Sequence, residues 1–374
     1  MIRCQDFFDW LTEFGVEFYS GVPDSLLQPI CFYMADQVGE QHFVAANEGG
    51  AVAMACGHHL ATGKTPLVYM QNSGQGNAVN PLLSLADRDV YSIPLLLMIG
   101  WRGEPGTKDE PQHVKQGKVT VEMLETMEIP YRVMTADRKT AYKEVSELLL
   151  IAADERRPVA LLVRKNTFEP YEPIHQTSAK FEMTREHAIG VVVQELSRSD
   201  VIVATTGKIS RELYENRDRN SQGHQRDFLT VGSMGHAVQI AMGIAVSRPN
   251  QQVFCLDGDG AMLMHMGAVA IVGAANVANF KHIILNNGVH DSVGGMASVG
   301  LQVSFAEIVK ACGYTNAWRV LRAEELAEKV AQLRAAQGPA LLEIMVQKGA
   351  RSDLGRPKTS PQENKKAFME FLSG

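Results

Sequence analysis

With 374 residues the chain is long enough for two ordinary domains, each with its own core. Its 36 basic and 42 acidic residues leave a formal net charge of −6, which argues against a phosphate-backbone partner and so against a nucleic-acid function. The five cysteines (Cys4, Cys31, Cys56, Cys255 and Cys312) contain no CxxC pair, no stretch reads as a membrane span, and the amino terminus lacks the apolar core and cleavage site of a secretion signal. A reduced, cytoplasmic chain with no membrane partner is expected.

In the first half, helices are expected over residues 7–14, 25–34, 49–61, 77–85, 121–127 and 140–153. Strands are expected between them, over 16–20, 42–45, 67–70, 93–99, 131–134 and 159–163. Residues 102–118, RGEPGTKDEPQHVKQGK, break the rhythm and read as a long charged loop at a strand end. From Asn166 the chain runs NTFEPYEPIHQTSAK, with two prolines and no apolar period, so the domains are placed at 1–168 and 185–374 with a linker over 169–184. In the second half strands are expected over 201–204, 253–256, 283–285 and 341–346 with helices between, then an irregular tail over 349–362 and a last helix over 363–372. The alternation defines an α/β chain of two doubly wound parallel sheets. Identity between the halves is too faint to establish a repeat.

The most informative stretch is 253–295. An apolar run breaks at Gly258-Asp259-Gly260, one mostly apolar helix follows from about Ala261, and a second apolar run ends in Asn286-Asn287-Gly288. In a parallel βαβ unit both strand ends lie at one sheet edge, so Asp259 and Asn287 can face one ligand. A carboxylate and an amide oxygen are hard donors suited to Mg²⁺, and the glycines let backbone approach an anion. The competing reading is ordinary turn punctuation. Glu48 likewise enters a helix rich in small residues, where it either faces a cofactor or complements the helix dipole.

The spacing of GDG, 25 further residues and NN, with strands on both sides, resembles the thiamine diphosphate binding motif. That resemblance implies Asp259 and Asn287 as Mg²⁺ ligands by side chain, Val289 by its carbonyl, and Gly258, Gly260 and Ala261 against the diphosphate. The segment NEGGAVA followed by QNSGQG is similar to the pyrimidine-binding domain of the same enzymes, and implies that Glu48 hydrogen-bonds the aminopyrimidine and activates the cofactor. TVGSMG is similar to the segment holding the middle of the cofactor, so Met234 would wedge its two rings and Gly232 and Ser233 would lie beside it, the alternative for Met234 being core packing. Gly207, in Thr206-Gly207-Lys208, is either a diphosphate contact or a plain turn.

With SGVPDSLL, WRGEPGTKDEPQHVKQGK and LNNGVHDSVGG, nearly the whole chain resembles the thiamine-diphosphate-dependent 2-oxo acid decarboxylases, most closely the phosphonopyruvate decarboxylases. The linker leaves no room for the middle domain of larger relatives. The resemblance implies pyrimidine-binding and diphosphate-binding domains, a homo-oligomer of at least two chains with cofactor sites between subunits, and a small 2-oxo acid substrate. For the phosphonopyruvate branch it implies conversion of 3-phosphonopyruvate to phosphonoacetaldehyde and CO₂ through a cofactor adduct, in phosphonate biosynthesis of the 2-aminoethylphosphonate type. Asp24 and His113 are candidates for proton handling, their plainer readings being a helix N-cap and a solvated loop residue. Arg102, Lys108 and His113 are candidates for holding the substrate anion, or belong to a solvated surface loop. Rival activities are a sulfopyruvate or other 2-oxo acid decarboxylase, an acetohydroxyacid-type carboligase, and a non-catalytic cofactor-binding protein, against which Glu48 argues.

Overall fold

The computed structural model describes residues 1–174 and 180–374, and the chain divides into two compact units, Met1–Gln176 and Thr177–Gly374. The linker expected over 169–184 includes residues 175–179, which lie outside the described residues.

The first unit runs α1 (Cys4–Glu13), β1 (Tyr19–Gly21), α2 (Gln28–Val38), β2 (His42–Val44), α3 (Glu48–Thr62), β3 (Leu67–Gln71) and α4 (Gln75–Pro81). It continues with β4 (Leu95–Gly100), α5 (Pro111–Thr126), β5 (Tyr131–Val133), α6 (Arg138–Glu155) and β6 (Pro158–Val163). All pairings are parallel, in the order β2-β1-β3-β4-β6-β5. The inner strands β4 and β6 are buried at every position, as continuous apolar runs covered by helices on both faces require.

The second unit runs α7 (Arg185–Glu195), β7 (Val201–Ala204), α8 (Lys208–Arg219), β8 (Asp227–Leu229), α9 (Ala237–Ser247), β9 (Val253–Gly258), α10 (Asp259–Met264) and α11 (Gly267–Ala275). Then follow β10 (Phe280–Asn286), β11 (Val289–His290), β12 (Met296–Ala297), α12 (Phe305–Ala311), β13 (Asn316–Val320), α13 (Ala323–Ala335), β14 (Ala340–Met345) and α14 (Pro361–Ser373). Its main sheet is again wholly parallel, ordered β13-β14-β10-β9-β7-β8, while β11 and β12 form a separate antiparallel hairpin. Helix α14 starts in a Ser360–Glu363 capping box and docks on the edge strand. There the Asn364 carboxamide accepts from Leu229 N–H at 3.0 Å and donates to the Asp227 carbonyl at 2.8 Å. No helix among the described residues is long and apolar enough to cross a membrane.

The two doubly wound parallel sheets are as expected, but three local expectations need correction. Residues 102–118 are not one loop: α5 takes over at Pro111, whose fixed φ suits the first helical position. Gly117, inside this helix, is required there because a side chain would run into the Gly103 backbone. The mostly apolar helix expected after Gly260 is two, α10 ending at Met264 and α11 starting at Gly267, with the polar His265 at the break. Strands β8 and β13 were not expected at all. Asp227 opens β8 because its charge is consumed by a bidentate, fully buried pair with Arg217, at 2.7 and 2.8 Å.

Candidate active site

In the first unit the strand ends gather two buried acids. Glu48 opens α3 behind Asn47, whose side chain caps Gly50 N–H, and is 5% exposed. Asn77 of α4 donates to Glu48 Oε2 at 2.7 Å, and a side chain at Gly74 would run into this carboxylate, so glycine there makes its room. Asp24, beyond β1, is fully buried; it accepts from Gln71 at the end of β3 at 2.6 Å and from Leu26 N–H at 2.9 Å. Burial pushes its carboxyl above the ordinary range against these hydrogen bonds and the charge of Arg102. Asp24 does not cap a helix beginning at Ser25, because α2 starts only at Gln28; it makes a local turn with Leu26. A side chain at Gly100, the last residue of β4, would collide with Asp24. The ends of β1, β3 and β4 therefore form one pocket floor, and β1/β3 is the switch point of the sheet.

The loop after β4 is ordered by its own charges. Arg102 forks onto Asp109 at 2.5 and 2.8 Å and reaches Ser25 Oγ at 2.9 Å, while Asp109 also accepts from Gly103 and Glu110 N–H. The pair holds the Asp109 carboxyl well below its usual range. Arg102 thus reaches the edge but has its fork engaged, and Lys108 is exposed on the same loop. His113 is not a solvated loop residue. It is buried on α5, packed under Gly103.

In the second unit, Asp259 is 2% exposed, and burial lifts its carboxyl to about 6 although Ser298 Oγ and the backbone N–H groups of Asn287 and Gly260 hydrogen-bond it. The two residues that the motif separates by 28 positions are therefore neighbours. Asn287 Oδ1 accepts from Val289 N–H at 3.1 Å and its amide donates to Asp291 at 3.3 Å. The strand-end turn is anchored below by Asn286, which donates to the buried Glu343 of β14 and to the Gly300 carbonyl, both at 2.8 Å. Asp291 is fixed by Arg185, itself forked onto Glu212, and by Lys208. Gly260 leaves a hollow: a Cβ there would stand 2.9 Å from the His290 ring and 3.4 Å from Met234 Cε. Gly207 has φ +96° and lies against Ser292, so a non-glycine residue would be strained and would collide. Ser233, at φ 51°, turns the chain before Met234.

The donor set fits a divalent ion and a diphosphate. Two buried hard oxygen donors are neighbours across the two strand-end turns, and a cation beside the Asp259 carboxylate would favour its charged form against burial. Sequence reading missed Ser298, Glu343 and the Arg185–Asp291 tie. No local pattern signals the first two. Arg185 gives one faint sign, an arginine within an otherwise apolar helix face.

Residues 4–124 match the family described as thiamine pyrophosphate enzyme, N-terminal TPP binding domain, and residues 205–344 match its C-terminal TPP binding domain, with no third domain between. The chain belongs to the thiamine-diphosphate-dependent 2-oxo acid decarboxylases. It is 32% identical to a phosphonopyruvate decarboxylase of Streptomyces viridochromogenes, over 100% of this chain and 96% of that one. A second phosphonopyruvate decarboxylase, from Streptomyces hygroscopicus, is also 32% identical, over 100% of this chain and 94% of its own. A sulfopyruvate decarboxylase of Methanosarcina acetivorans is 29% identical over 87% of this chain and 86% of that protein.

Proposed function

We propose that this protein is a Mg²⁺- and thiamine-diphosphate-dependent carboxy-lyase that converts 3-phosphonopyruvate to phosphonoacetaldehyde and CO₂, serving phosphonate biosynthesis of the 2-aminoethylphosphonate type. The observation that carries this reading is the end-to-end likeness to phosphonopyruvate decarboxylase at 32% identity. Thiamine diphosphate, when bound, supplies the electron sink for the pair left by departing CO₂.

The residues divide the remaining work. Asp259, Asn287 and the Val289 carbonyl hold Mg²⁺, with Gly207, Gly258, Gly260 and Ala261 close to the diphosphate. Met234, with Gly232 and Ser233, shapes the middle of the cofactor site. Glu48 holds a proton at the aminopyrimidine nitrogen; its Oε2 is steadied by Asn77. Asp24, its carboxyl raised above the ordinary range by burial, and His113 handle the proton that reaches product carbon. Arg102 orders the loop after β4, and Lys108 brings its charge to the substrate's second anion. We place the domain boundary within 169–184 and the working unit at a homodimer or larger, which light scattering at assay dilution tests.

The decisive experiment supplies phosphonopyruvate, sulfopyruvate and pyruvate at matched concentration with thiamine diphosphate and Mg²⁺, measuring CO₂ and aldehyde. Phosphonopyruvate should be used best. A preference for sulfopyruvate would transfer the assignment to the second reading, which the 29% likeness favours. A coupled hydroxy-keto product would make the protein a carboligase instead.

A further inference from the structure

Below the turn that carries Asp259 lies a second group of ligand-bearing side chains that decarboxylation does not use. Cys255 and Asp257 stand two residues apart on one face of β9, and His282 on β10 is registered opposite Cys255. All three are fully buried. The sulfur, a carboxylate oxygen and an imidazole nitrogen lie within 4.8 Å of one another, the only such trio among the described residues.

These groups are not satisfied by one another. Asp257 Oδ2 and both ring nitrogens of His282 have no hydrogen-bond partner, and neither does the buried hydroxyl of Tyr314, which lies within electrostatic reach of Cys255 and Asp257. The closest approach, His282 Nε2 to Asp257 Oδ2, is 3.6 Å, too long for a hydrogen bond. The surroundings are apolar, including Val203, Val253, Phe280 and Ile284. Unpaired buried polar atoms are costly, and native cores rarely gather several.

We propose that Cys255, Asp257 and His282 bind a first-row divalent cation of the zinc type, with the Tyr314 hydroxyl or a water completing the shell. A thiolate, a carboxylate and an imidazole form a mixed donor set that favours zinc over Mg²⁺, in contrast to the all-oxygen set at Asp259 and Asn287. Zinc bonds of about 2.0–2.3 Å bring ligand atoms to less than about 4 Å apart, a contraction that side-chain rotation supplies. A bound cation takes the cysteine as its thiolate, so binding releases a proton. With every ligand buried the ion is structural, pinning β9 to β10 under the two turns that carry Asp259 and Asn287.

Protein isolated from zinc-supplemented medium and passed through metal-free buffer with thiamine diphosphate and Mg²⁺ should carry about one zinc per chain by plasma mass spectrometry. Cys255→Ser and His282→Gln should each lower that content by about tenfold or more. Should either variant not fold, wild-type protein grown with Co²⁺ gives an independent reading: a thiolate-to-cobalt absorption in the near ultraviolet and tetrahedral bands in the visible. Wild-type protein that holds neither zinc nor cobalt overturns the proposal, and so does undiminished zinc in folded variants.

Discussion

Counted from the first strand of each, the two units have the same strand order, 2-1-3-4-6-5, yet several of their acids are held differently. Asp6 of the first, forked by Arg3 and Arg138, and Asp259 of the second, bonded by Ser298, stand outside the contrast. In the first unit Asp24 and Glu48 are hydrogen-bonded by neutral amides, Gln71 and Asn77. In the second, Glu212, Asp291, Asp227 and Glu343 are each fixed by an arginine. A neutral partner leaves a carboxylate able to gain or lose a proton, whereas an arginine fork fixes both charge and position. One topology thus accommodates amide-held acids at the strand ends of one unit and arginine-fixed acids in the other, which under the proposed function would make one edge proton-handling and the other anchoring. The loop after the fourth strand follows the same division. In the first unit it is closed by two ion pairs, Arg102 with Asp109 and Arg164 with Glu104; in the second it is built out into the β11–β12 hairpin and tied down from three directions.

Loss of an anchoring ligand should have the largest effect. Asp259→Ala should weaken Mg²⁺-dependent cofactor binding by more than about 100-fold in calorimetric titration; unchanged affinity would remove this edge from the anchoring role. Glu48→Gln should leave cofactor affinity within about threefold while kcat falls by about 10²–10⁴, so a loss confined to affinity would erase the contrast between the edges. Arg217→Met strands the buried Asp227 carboxylate and should cost about 3–5 kcal/mol in denaturant unfolding, whereas adding Asp227→Leu should recover much of it. Lys108→Ala should lower kcat/KM for phosphonopyruvate about tenfold more than for pyruvate, which lacks the second anion; equal losses would detach the loop from substrate choice. The smallest effect concerns pH. Burial holds His42 of the first unit down at about 4, so below about 6.5 the unfolded chain takes up a proton that the folded one refuses. Stability present above that pH should decline by about 1–2 kcal/mol as pH falls toward 4, and His42→Gln should flatten the decline.

The sheets were legible because their inner strands are unbroken apolar runs, and the meeting of Asp259 with Asn287 because GDG and NN end two of them. The edge strands of the second sheet were not: β8 begins with Asp227, whose polarity is cancelled by Arg217 ten residues earlier, and no local pattern announces that pairing. The helical identity of residues 111–118 was hidden by their charge and lack of an apolar period, and Gly117 serves its contact with Gly103 rather than its own segment. Ser298 was invisible for the same reason, since its importance lies in reaching a carboxylate 39 positions away. The shared strand order is likewise a property of pairing, which neither half spells out in its residues.

The Asn364 carboxamide meets strand β8 with one acceptor and one donor, as a peptide group of a neighbouring strand would. The sheet therefore ends in a one-residue imitation of a seventh strand, and part of its outermost backbone is already occupied when another chain arrives. Edge-to-edge growth is the usual hazard of a parallel sheet, and here a single side chain on a terminal helix blocks it. A chain shortened before Pro361 should accordingly keep its fold class but gain a tendency to aggregate through β8, visible as concentration-dependent scattering that full-length protein lacks.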